Sequence, residues 1–126
     1  MPAQNFCREF FDSVDEAVFS LGYERFFYGW QPPWHFSAQE EYETMLAQAG
    51  FQSIQVQSRD YHLVFSAVSD VVHWWSSAGL RPYLAALPVT GQEHFKEAFG
   101  ECFEQNMTGK GIEFDFRRLF AFARKA

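Results

Sequence analysis

Along residues 36–56, FSAQEEYETMLAQAGFQSIQV, apolar positions recur first at the helical period and then at the strand period. Tyr42, Met45, Leu46 and Ala49 fall at i, i+3, i+4 and i+7, which predicts a helix with one stripe for burial. Ser37 is placed to cap it, with Glu40 reaching back to the cap's own N–H. Gly50 stands where a left-handed residue ends a helix, and Phe51 where a contact back onto the last turn is usual. Ile54 and Val56, alternating with Ser53, Gln55 and Gln57, then open a strand with one buried face.

The same reading extends in both directions. Cys7, Phe11, Val14 and Val18 predict a helix over residues 5–21, widened by Phe10 and Ala17 and stopped by Gly22. Residues 23–36 hold seven aromatics but are broken by Gly29 and by Pro32-Pro33, so they cannot form one regular element. Aromatics on such a segment, Trp30 and Trp34 among them, suit a lid or the wall of a cavity as well as plain packing. The strand begun near Gln52 continues, with a kink at residues 58–60, through Tyr61, Leu63 and Phe65. Val68, Val71, Val72 and Trp75 predict the next helix, capped by Ser66 or Ser69 and ended by Gly79. A short element starts at Leu80-Arg81-Pro82. Thr90 and Glu93 form a second capping box before a helix carrying Phe95, Ala98, Phe99, Cys102 and Phe103.

Ile112, Phe114 and Phe116 alternate with Glu113, Asp115 and Arg117 in a last strand, and residues 119–123 are apolar on both sides, which predicts an interior strand there. Arg118 falls on the apolar phase of that strand; if buried, it needs an anionic partner, either a protein carboxylate or a substrate's. The chain as it stands thus reads as α+β, with few strands and about four helices. Two strands are too few to be stable alone, so the sheet is expected to be completed by a missed strand or by a second chain, most simply as a homodimer.

Composition narrows the function classes. A chain of 126 residues is long enough for one core without disulfides or metal. Ten basic residues against sixteen acids, net −6, argue against nucleic-acid binding, which needs clustered Lys and Arg. No run of apolar residues is long enough to span a membrane and no secretory signal opens the chain, so the cytoplasm is the expected location. Aromatics make up 20% of the residues, enough for a thick aromatic core or an aromatic-walled cavity. Cys7 and Cys102 lack a CxxC context and read as reduced core residues, and the four histidines have no metal-ligand spacing. There is no GxSxG elbow. Gly109-Lys110-Gly111 precedes a strand rather than a helix, so it is a turn and not a nucleotide loop.

Three stretches, EEYETMLAQAGF, VVHWWSSAGLRPYLAAL and FDFRRLFAFARK, together resemble the C-terminal half of class I S-adenosylmethionine-dependent methyltransferases of the trans-aconitate type. The matching residues are Glu41, Tyr42, Leu46, Ala49, Gly50 and Phe51, then Val71, Trp74, Leu80, Arg81 and Pro82, then Phe116, Arg117, Arg118, Leu119 and Phe120. Ser76-Ser77-Ala78 stands where the family has a Gly-Thr pair. The resemblance implies the C-terminal part of a Rossmann-like α/β fold, whose last strand runs antiparallel beside the sixth. It implies an acceptor-binding part whose cofactor-binding half is absent, encoded separately or lost by truncation, so that the chain is inactive alone. S-adenosylmethionine is then implied only for the complete family, and a separate cofactor-binding chain becomes an alternative to the homodimer. It makes Arg81, Arg118, Tyr61 and His62 candidates to hold a small acid's carboxylate, with Trp30 and Trp34 walling the pocket. No catalytic residue is implied. A non-catalytic, dimeric small-molecule-binding or interaction module is the alternative expectation.

Overall fold

The computed structural model describes residue 2, residues 7–33 and residues 37–125. In chain order these form α1 (Arg8–Leu21), α2 (Gln39–Gln48), β1 (Phe51–Phe65), α3 (Val68–Ser76), α4 (Arg81–Ala85), α5 (Val89–Phe103), β2 (Met107–Thr108) and β3 (Gly111–Lys125). Short 3-10 turns cover Glu24–Phe27 and Glu104–Asn106. The described residues are therefore mixed α and β, with five α-helices and one sheet in the order β1-β3-β2. β2 was not legible in the sequence: it is only two residues long and pairs antiparallel with the start of β3, Met107 with Ile112 and Thr108 with Gly111.

Two compact units make up the chain, and β1 and β3 contribute residues to both. The larger unit holds residues 8–33 and 63–114. In it α1 and α3 both pack on α5. Phe10, Val14 and Ala17 of α1 are buried, one turn-spaced row; Val18 is only half-buried, so the buried stripe lies slightly to one side of the expected one. From α5 come Phe95, Phe99 and Phe103, all fully buried, and from β3 Ile112 and Phe114. The rings form a continuous core: Phe10 lies 4.3 Å from Trp75 and 5.8 Å from Phe99, and Phe114 lies 5.0 Å from Phe103 and 5.8 Å from Trp75. Much of the aromatic content is therefore ordinary core, in stacked, edge-on and tilted contacts.

The smaller unit contains described residues 2, 7, 37–62 and 115–125. Its core is small: Val56 and Leu119, with Tyr42, Leu46 and Ile54 packed half-buried against them. Cross-strand side-chain pairs set the register here. Asp60 meets Arg117, Tyr61 meets Phe116 and His62 meets Asp115, so one strand's numbers rise as the other's fall and β1 and β3 are antiparallel. β1 runs unbroken through residues 58–60.

Helix ends follow the glycines more than the expected capping boxes. Gly22 and Gly50 both take left-handed backbone, φ +67° and +91°, where α1 and α2 stop. Neither box forms: α2 is entered from Ala38 and α5 from Pro88, without a side-chain cap, while Ser37 is buried one residue outside and Thr90 lies inside α5. Pro88 has the fixed φ and the missing N–H that fit the residue before a helix, which moves the start ahead of Thr90. Met45, Ala49 and Phe51 are exposed, so the α2 stripe narrows to Tyr42 and Leu46.

The expectation of a doubly buried end to β3 is corrected. Leu119 is buried and Phe120 half-buried, but Ala121, Phe122 and Ala123 are exposed, Phe122 by 58%. The buried positions shift by one along the strand, from Ile112 and Phe114 to Leu119, so Arg118 loses the apolar phase and is exposed. Beyond the two pairs with β2, the side of β3 away from β1 carries one isolated bridge among the described residues, Pro2 to Arg118.

Candidate functional site

A strand pair with long side chains on each residue concentrates charge, and the β1–β3 pair of the smaller unit does so over residues 60–62 and 115–118. Arg117 donates from Nε to Asp60 Oδ1 at 2.8 Å and from Nη2 to Oδ2 at 3.5 Å. That hydrogen bond holds the Asp60 carboxyl below the usual carboxylate range and raises the Arg117 guanidinium in turn. His62 Nδ1 lies 2.6 Å from Asp115 Oδ1; an ionised carboxylate only accepts, so Nδ1 carries the shared proton. Both pairs are solvent-exposed.

Arg118 differs from its neighbour. Its guanidinium carbon lies 5.4 Å from the centre of the Phe116 ring, and it has no carboxylate partner among the described residues. Tyr61 stacks on that same ring, centroids 5.5 Å apart and planes 24° from parallel. Tyr61, Phe116 and Arg118 thus form one patch, an arginine and a phenol both held against one aromatic ring.

The larger unit holds the other expected residues. Trp30 is half-buried, its ring 4.8 Å from Tyr83 and 5.3 Å from Phe27. These three rings wall an open cavity of about 440 Å³ that Val14 and Val18 of α1 also line. Asp15 and Glu24 supply its charged lining. Loss of water, and secondly Asp12, raises the Asp15 carboxyl above the usual range. Burial, and secondly Asp15, pushes the Tyr83 phenol up to about 12, so it stays protonated. Arg81 is exposed at the first residue of α4 and is not among the cavity's lining. Trp34 lies outside the described residues. Asp15, Glu24 and Tyr83 carried no distinguishing signal in the sequence, since acids on an amphipathic helix read as a solvated face.

No family model matches the chain. It is similar to a trans-aconitate 2-methyltransferase from Acidovorax sp. (strain JS42). The two are 33% identical over 70 residues, which take in 52% of this chain and 27% of that protein. The chain's match therefore spans about a quarter of its relative's length. Residues 109–111, the one glycine-rich triplet, connect β2 to β3 with Thr108 and Gly111 paired across the turn. A strand follows it rather than a helix, so it does not fit the turn that approaches a nucleotide-type cofactor. Among the described residues no group of three or more His, Cys, Asp or Glu could hold a metal ion, and no helix is long and apolar enough to cross a membrane.

Proposed function

We propose that this chain supplies the acceptor-binding part of an S-adenosylmethionine-dependent methyltransferase of small carboxylic acids, the methyl donor being held by residues other than these. The observation that carries the reading is the identity with a trans-aconitate 2-methyltransferase over 70 residues. The adjacency of β1 and β3, antiparallel, supports it, because the sixth and last strands of that fold are so placed. Among the described residues one side of β3 is sparsely paired, and another strand of such a sheet, or a second copy of the chain, would add there.

Within this reading Arg118 is the residue that holds an acceptor carboxylate. Its charge is unpaired by any described acid, its guanidinium lies over the Phe116 ring, and a guanidinium binds a carboxylate through two parallel hydrogen bonds. Tyr61, stacked on the same ring, contributes its hydroxyl. His62 is engaged by Asp115, and Arg81 belongs to the larger unit, so both are secondary candidates. Trp30 belongs to the aromatic cavity, and Trp34 keeps its proposed role as pocket wall. A carboxylate acceptor is ionised at neutral pH and requires no general base, in keeping with a site that positions its ligand and excludes water.

Calorimetric titration with trans-aconitate tests this. The reading expects saturable binding that Arg118→Gln weakens about tenfold or more, the loss of a charge-assisted pair. Arg25→Gln, at an exposed arginine of the larger unit, should leave it unchanged. Equal binding by the Arg118 variant, or none at millimolar ligand, overturns the assignment. The second reading, a non-catalytic dimeric binding module, draws on the cavity beside Trp30, since a filled interior there would have spoken against it.

A further inference from the structure

We propose that the cavity beside Trp30 binds a small organic cation with an apolar body, of the alkylated-ammonium class. This goes beyond the proposed methyltransferase role and does not depend on it.

The charge of the lining is one-sided. Asp15 and Glu24 border the cavity, and among the described residues no Lys, Arg or His does. Neither acid makes an ion pair with a described residue. Carboxylates placed this way favour a cation and repel a carboxylate substrate, and the aromatic walls reduce the screening water between charge and ligand. The raised carboxyl of Asp15 fits the same picture: it has lost part of its water without gaining a positive partner among the described residues, a deficit that a bound cation removes.

The rest of the lining rejects a bare metal ion and favours an alkylated nitrogen. Trp30, Phe27 and Tyr83 present rings whose faces attract a poorly hydrated cation, Trp most strongly. Val14, Val18 and Pro32 add apolar contact, and Phe19, 78% exposed, stands at the margin. A volume of about 440 Å³ is in the range for a small ligand rather than a single ion. A trimethylammonium group meets each demand: one delocalised charge, no hydrogen bonds to satisfy, and methyl groups that pack on rings.

Titration with benzyltrimethylammonium tests the inference, with benzyl alcohol and phenylacetate as neutral and anionic comparators. The cation should bind tightest and phenylacetate weakest. Asp15→Asn should weaken the cation about five- to thirtyfold and leave benzyl alcohol unchanged, and Trp30→Leu should weaken the cation by a similar factor. Phenylacetate binding as tightly as the cation overturns the proposal, as does an Asp15→Asn variant that binds the cation as the parent does. The circular dichroism of Asp15→Asn, an exchange at an exposed position, verifies that the variant is folded. Failure here leaves the Arg118 assignment untouched, because trans-aconitate is read out on the other unit.

Discussion

Leu119→Ala and Phe122→Ala, compared in one background, test where β3 buries its side chains. Leu119 is 2% exposed and shares its core with Val56, so the substitution removes three carbons of burial and leaves a cavity. Leu→Ala changes cost about 2–5 kcal/mol when buried. Its other neighbours, Tyr42, Leu46 and Ile54, are only half-buried and can relax into the space, which places this one at about 2–3 kcal/mol. Phe122 is 58% exposed, so its truncation gives up little burial and should cost about 1 kcal/mol or less. Urea unfolding followed by far-ultraviolet circular dichroism reads both. A larger cost at Phe122 than at Leu119 would refute the burial phase described for the strand. If instead Phe122→Ala leaves unfolding unchanged but weakens self-association, the open side of β3 is an interface between copies.

Other consequences follow from single contacts. Gly111 has φ +124°, and a Cβ there would lie 2.5 Å from the Phe65 carbonyl oxygen, so Gly111→Ala should lower stability by about 2 kcal/mol or more, read as a fall in Tm. The Asp60 carboxyl is depressed by Arg117, so its contribution is present above the ordinary carboxylate pKa and lost as pH falls through the lowered one; Asp60→Asn should flatten the acid side of the stability–pH profile. Burial, and then Glu16, pushes the Cys102 thiol up to about 11. Alkylation by iodoacetamide at pH 8 should therefore run about two orders of magnitude slower than for a free cysteine, and a rate equal to free cysteine's would refute the burial of this thiol. Light scattering at micromolar concentration should return a dimer if β3's edge is completed by a second copy, and a monomer defeats that proposal.

Most elements were legible because their signals are local. Gly22 and Gly50 end helices by a backbone conformation that glycine adopts at no steric cost, and Pro82 sits in the first turn of α4, where its missing N–H is harmless. Where a signal depends on tertiary context, the sequence misled. Ser37 and Thr90 have the right letters for capping, yet burial of Ser37 and the geometry of Pro88 decide otherwise. Residues 119–123 are apolar on both sides of the strand, but apolar content does not specify a neighbour, and the second face is covered only in part: the Arg59 guanidinium lies 5.0 Å from the centre of the Phe120 ring, while Phe122 is exposed. The same shift exposes Arg118 and separates it from Arg117, whose partner Asp60 lies 57 residues earlier in the chain. Pairings at that distance have no periodicity to betray them. The Trp30 cavity was half legible, as aromatics on an irregular segment; its acids were not.

The most direct measurement is a calorimetric titration of the chain with S-adenosylmethionine, repeated with S-adenosylhomocysteine, which lacks the sulfonium charge. No saturable binding of S-adenosylhomocysteine is expected, because among the described residues no glycine-rich turn lies between a strand and a helix. One-to-one binding of both compounds, which only recognition of the shared adenosyl group would give, would contradict the claim that this chain serves the acceptor alone.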